Sequence, residues 1–206
     1  RAGIHHGLQG RIHAEQVEFT GSAAMAAGLG CSSADHLEQI DSAGIEAMAS
    51  AGTVGVLLPG AMMYLRDAPP PVGELLEAGV NLAVATDFNP GSSPVRGLWA
   101  CATLSCLGMG LNVEQAILGV TRNAGRALGR ERLGWLGEGS AADMVLMAPP
   151  PGEPVQSLPT SLPNTHLATY FIRTLGGKPR VREDLQIESR SVTSGNLSRT
   201  RCFPHR

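Results

Sequence analysis

Aromatic residues are scarce in this 206-residue chain, at 4%, whereas glycine reaches 26 and proline 14. That balance speaks against a helical bundle and for many short strands joined by tight turns. Cysteine is sparse and unpatterned. Cys31, Cys101, Cys106 and Cys202 show no CxxC spacing, which removes a zinc ribbon and a disulfide framework and leaves reduced thiols in a cytosolic protein as the reading. Neither sign of charge dominates, the formal net charge being -2, so nothing draws the chain to nucleic acid or to a membrane surface, and a small molecule is the expected partner. No apolar run approaches the roughly 18 residues of a membrane helix, and no signal-peptide pattern opens the sequence. The expectation is a soluble, cytoplasmic protein.

What is present is a repeated grammar. A short apolar run ends in a polar or Gly-Pro cluster and is followed by an Ala/Leu/Glu-rich stretch of about a dozen residues, the βα pattern. The predicted strands are Leu8 to His13, Cys31 to His36, Thr53 to Pro59 and Asn81 to Asp87; the helices between them are Ser22 to Leu29, Ser42 to Ala51 and Val72 to Ala78. Near-continuous apolar strands such as NLAVATD suit a parallel sheet covered by helices. The fold class is therefore α/β. A doubly wound open sheet is the alternative to a barrel, but it would carry a Gly-rich phosphate loop after its first strand, and none is seen. Two further helices are predicted, over Val95 to Cys106 and Val113 to Leu128, then a turn and strand over Gly134 to Met147 and a Pro/Ser-rich connection over Pro149 to Pro163. From about Arg182 the composition turns polar and Arg/Ser-rich, as in a disordered tail.

In barrels of this type the reactive side chains gather at the C-terminal ends of the strands. Three motifs fall there: HAEQ at His13 to Gln16, DHLE at Asp35 to Glu38, and TDFNPGSSP at Thr86 to Pro94. A hydrolytic metal site needs a few nitrogen or oxygen ligands around an open position, and the metal lowers the pKa of water. His13 and Asp87 are suitable donors, although two donors do not hold a catalytic zinc, and a strand-end histidine taken alone reads as structural. Asp87 beside Asn89-Pro90 also fits a helix N-cap.

Taken in order, HAEQ, SADHLE, GTVGVLLPGAMMYLRD, ATDFNPGSSP and GVTRNAGRALG resemble the imidazolonepropionase family of the amidohydrolase superfamily, over about Gly10 to Asp143. The resemblance implies the C-terminal half of a TIM-like (β/α)8 barrel over residues 1–130, a remnant of a small accessory β domain over 131–181 and a tail over 182–206. It makes His13 a metal ligand after the fifth barrel strand, Asp87 the ligand and proton acceptor after the eighth, and His36, ending the sixth, a catalytic histidine. Gln16, Asn89, Gly91 and Ser92 match substrate-holding positions. The implied reaction is hydrolysis of 4-imidazolone-5-propanoate to N-formimidoyl-L-glutamate, with zinc or iron as cofactor and a homodimer when full length.

The sequence also departs from that pattern. The family's HxH ligand pair is absent, as are its N-terminal Arg, Tyr and His substrate contacts, and the chain opens on Arg1. We therefore expect sequence upstream and a chain inactive alone. His5, His6, His166 and His205 are expected to take no part, Glu15 to be an exposed neighbour of the ligand, and Asp35 and Glu38 to orient His36 or lie on the surface. Arg66 is either a propionate contact or a solvated loop charge. Two other readings stand beside the first: an amidohydrolase of the cytosine or guanine deaminase type, and a non-catalytic half barrel that persists by binding another copy or an intact homologue.

Overall fold

The computed structural model describes residues 2–141, 143–146, 170–175 and 178–182. A single turn of helix, α1 (Ala2–His5), precedes strand β1 (Arg11–Ala14). Then follow α2 (Ser22–Gly28), β2 (Ser33–His36), α3 (Ser42–Ala51), β3 (Val54–Leu57), α4 (Pro59–Leu65), α5 (Val72–Glu77) and β4 (Leu82–Val84). Three helices come next, α6 (Leu98–Gly108), α7 (Val113–Val120) and α8 (Arg122–Ala127).

The four strands are parallel and lie in the order β1-β2-β3-β4. Parallel crossovers are right-handed almost without exception, so a sheet that always grows toward the same edge puts the bulk of the helices that join its strands on one face. That leaves the other face free to line a barrel interior, whereas a doubly wound sheet reverses its order at a switch point. The monotonic order thus decides for a barrel segment, with β1 and β4 as its edges.

Strand parity separates two faces. Leu57, Leu82 and Val84 belong to the large apolar cluster with Ala26, Ile45, Met48, Leu75 and Ala116 of the helices. Their alternating neighbours Val54, Val56 and Ala83 form a second cluster with Leu58, Ala61 and Ala127. The register carries the same parity across the sheet, so Arg11, His13, Ser33 and Asp35 share the face of Val54, Val56 and Ala83.

Local chemistry explains the ends of two helices. The Asp41 side chain accepts from the Gly44 amide at 2.8 Å to open α3, and Gly52 ends it at φ 71. Asn112 and Gln115 form a reciprocal capping box on α7.

Some expected elements are revised. The strands are shorter than predicted. Pro59 does not end a strand but occupies the first turn of α4, where a missing amide proton is harmless. The helix expected over Val113 to Leu128 is two, divided at Thr121, whose hydroxyl donates to the Ile117 carbonyl at 2.6 Å and whose backbone leaves helical geometry. Met144–Leu146 (β5), Tyr170–Leu175 (β6) and Lys178–Arg182 (β7) form a separate antiparallel sheet in the order β5-β6-β7. The Pro/Ser-rich connection and residues 183–206 lie outside the described residues. No helix among the described residues is long and apolar enough to cross a membrane.

Candidate active site

His13 and Asp35 are register partners at the C-terminal ends of β1 and β2, on the face turned away from the large helix-bearing core. Asp35 is half-buried and accepts from the Ser33 hydroxyl at 2.8 Å. Burial raises its pKa above the usual carboxylate value, opposed by the Ser33 hydrogen bond and by the charges of His36, Arg11 and His13.

His36 is the partner of Ala14 in the register, so parity alone would send it toward the helices. Its ring nevertheless stacks on His13, with centroids 4.3 Å apart and planes tilted by 54°. The reason is a backbone reversal: His36 and Leu37 both have left-handed dihedrals, φ 83 and φ 77, which L residues with a Cβ adopt only at a cost of about 1 to 2 kcal/mol each. The surroundings hold that geometry. The Leu37 amide donates to the Ala14 carbonyl at 3.1 Å and the Gln39 amide to the Glu15 carbonyl at 2.8 Å, while the Leu37 side chain is wholly buried. Glu38 lies beside the His36 ring, with Oε2 3.8 Å from Nδ1 and both side chains buried.

Glu15 is a correction. It is not an exposed neighbour of His13 but buried, at 3% exposure, and its carboxylate accepts from the amides of Thr20 at 2.7 Å and Ala23 at 3.0 Å and from the Ser22 hydroxyl at 3.2 Å. Gly21, at the N-cap position of α2, has no side chain to cap with, so Glu15 performs that task from the preceding strand end. Burial pushes the Glu15 pKa up, but the hydrogen bonds from Thr20, Ala23 and Ser22 outweigh it and the net shift is downward. Gln16, next along, is half-buried.

The loop after β4 is a different environment. Asp87, Asn89 and Gly91 are exposed and Ser92 is half-buried. Asp87 sits at φ 46 and caps no helix, since the next helix, α6, begins at Leu98 behind its N-cap Gly97. The Asn89 side chain accepts from the Gly91 amide at 2.8 Å, and Asn89 and Ser93 exchange backbone hydrogen bonds at 3.0 and 2.8 Å. Buried Ser93 ties this turn to the strand end by donating to the Thr86 carbonyl at 2.7 Å. Gly60 permits that approach: a Cβ there would lie 2.6 Å from the Ser93 hydroxyl. Arg96 lies over the Phe88 ring at 4.8 Å, closing the loop on itself.

The structure thus brings His13, His36, Asp35 and Glu38 together, and gathers Asn89, Gly91 and Ser92 in one turn after Asp87. Arg66 terminates α4 in a left-handed conformation and is exposed, and His5 and His6 are exposed. His166 and His205 lie outside the described residues. His13 lies on the outer strand β1 and Asp87 in the loop after the other outer strand, β4; these strands would be about 14 Å apart in a flat sheet, so barrel curvature is what would bring the two side chains toward one ion. Their imidazole and carboxylate suit zinc or iron in type but not in number, and no three His, Cys, Asp or Glu side chains are grouped to hold a metal among the described residues.

Known proteins match this chain in sequence and in shape. An imidazolonepropionase of Cupriavidus pinatubonensis is 51% identical over 147 residues, covering 70% of this chain and 35% of that protein. One from Maricaulis maris is 49% identical over 142 residues, covering 68% and 35%. The chain thus spans about a third of the length of these curated relatives. Among solved structures, a zinc-bound adenosine deaminase from Xanthomonas campestris superposes with a TM-score of 0.66 at 21% identity, over 86% of this chain and 46% of that one. Atrazine chlorohydrolase TrzN from Arthrobacter aurescens gives 0.69 at 19%, over 86% and 45%. Both share the fold. The family model described as amidohydrolase family matches residues 3–171, so this chain belongs to the amidohydrolase family.

Proposed function

We propose that this chain supplies half of an imidazolonepropionase active site, hydrolysing 4-imidazolone-5-propanoate to N-formimidoyl-L-glutamate in histidine breakdown once the rest of the barrel is present. The observation that carries this reading is the near-50% identity to imidazolonepropionases over about 70% of the chain. His13 and Asp87 would hold a zinc or iron ion together with ligands from outside these residues. When bound, such an ion supplies Lewis acidity and makes water a nucleophile near neutral pH.

The chain's own residues do the rest. Gln16 contacts the imidazolone ring, and the Asn89-to-Ser92 turn offers an amide side chain, a Cβ-free backbone and a hydroxyl to hold substrate or opened product. His36, beside His13 on the inner face, meets the reacting group, to polarise it or to move a proton. A cytoplasmic homodimer is the setting we assign to the complete enzyme.

The test is a chimera in which this chain replaces the corresponding part of the Cupriavidus pinatubonensis relative. Ring opening with release of N-formimidoyl-L-glutamate supports the reading; a folded, metal-loaded chimera that instead releases ammonia from guanine or cytosine supports the deaminase alternative. The 206-residue chain alone should show negligible turnover and bind zinc more weakly than about micromolar, because it offers two ligands. Tighter stoichiometric binding would contradict the two-ligand account.

A further inference from the structure

Among the described residues, His36 Nδ1 and both carboxylate oxygens of Glu38 are buried polar atoms without a hydrogen-bond partner. Buried polar groups are paired in the great majority of cases, and a carboxylate without donors is the costliest exception. These orphans face one another across 3.8 Å, with side-chain exposures of 5% and 1%. The gap exceeds a hydrogen bond by less than 1 Å, and such contacts often tighten when a site is completed. Asp35 is engaged elsewhere, taking the Ser33 hydroxyl, which leaves Glu38 as the acceptor aimed at Nδ1.

We propose that Glu38 is a positioning residue for His36: it takes the Nδ1 proton in a hydrogen bond, fixes the imidazole as the Nδ1–H tautomer and turns Nε2 toward the inner face. An isolated neutral histidine prefers the opposite tautomer, so the carboxylate must select this one. A ring nitrogen's protonation is set by the hydrogen bond its partner nitrogen makes, as in histidines held by a carboxylate at catalytic and metal sites. Of the two roles open to His36, this leaves Nε2 able to take a proton and unable to donate one in the resting state. The left-handed pair at His36 and Leu37 sets the ring against His13 while leaving Glu38 within 3.8 Å of Nδ1. The inference rests on the proposed function only for the part His36 plays in the reaction; the tautomer does not depend on which substrate binds.

Two measurements test it. The first is imidazole 15N NMR of the 206-residue chain at a pH where the ring is neutral, with the His36 signal identified by its loss in His36→Gln. A protonated Nδ1 in the wild type and a shift to protonated Nε2 in Glu38→Ala are expected. A wild-type His36 protonated at Nε2, or a tautomer unchanged in Glu38→Ala, overturns the proposal whatever the enzyme's substrate. The second is steady-state kinetics in the chimera. Glu38→Ala should lower kcat roughly tenfold or more with KM little changed, and Glu38→Gln, which keeps an acceptor oxygen, should recover part of the loss. A fall in melting temperature with kcat per folded molecule unchanged overturns it in favour of a merely structural glutamate.

Discussion

The two parts of the candidate site are built on different principles. At the ends of β1 and β2, His36, Glu15 and Glu38 are buried, and the strand exits are locked by backbone hydrogen bonds between the strands. After β4, Asp87, Asn89 and Gly91 lie open to solvent, held mainly by a turn that bonds to itself and by Ser93. The first part is assembled by the same packing that makes the sheet; the second is shaped locally and waits for whatever covers it. The contrast means that substitutions in the first part should mix stability with function, and those in the second should separate them.

Four variants put that contrast under strain, all read in the chimera. Asp87→Asn has the largest expected effect, a loss of turnover of about 1,000-fold or more with little change in melting temperature, because it removes a charged donor from an exposed position. Turnover and metal content both near wild type would remove Asp87 from the site. His36→Ala should lower turnover by roughly 100-fold while leaving metal content intact. Because its ring is buried, some loss of thermal stability should accompany this, unlike Asp87→Asn, and parallel metal, melting and rate measurements separate the contributions.

Glu15→Ala should act chiefly on stability, by about 1 to 2 kcal/mol, the scale of a lost helix cap. Its pH signature has a definite sign. The folded pKa lies below the unfolded value near 4.5, so this contribution is fully present above about pH 4.5 and is lost as pH falls through the lowered folded pKa. Denaturant melts at pH 7 and pH 3 should therefore show a wild-type advantage over Glu15→Ala that shrinks in acid; an advantage independent of pH would contradict the cap. Asn89→Ala is the mildest, changing stability by less than about 0.5 kcal/mol but raising KM. A large stability loss there would mean that the exposed turn is as integral to the fold as β1 and β2.

Much of this arrangement was legible in the sequence because apolar runs that end in His, Asp or a Gly-Pro cluster mark the C-terminal ends of parallel strands. The parity of His36 was not, since a left-handed residue at the end of a strand leaves no mark in an ordinary SADHLE run. Glu15 was misjudged because its cap reaches α2 across eight residues, beyond the spacing of a capping box. Pro59 reads equally as the end of a strand or the start of a helix, and only the Gly-Ala-Met-Met stretch behind it favoured α4. The break at Thr121 was hidden because the apolar period runs on through it.

Leu37 illustrates how tightly evolution can be cornered at one position. Its φ of 77 favours glycine, and replacement by glycine would relieve about 1 to 2 kcal/mol of backbone strain. Its side chain is fully enclosed in the main apolar cluster, and losing a buried leucine costs about 2 to 5 kcal/mol. Packing therefore outweighs strain, and every β-branched alternative adds crowding to an already disfavoured dihedral. A saturation library at this codon should return leucine almost alone, with methionine as the rare tolerated escape, so drift here is all but closed while the neighbouring solvent-facing Gln39 stays free to vary.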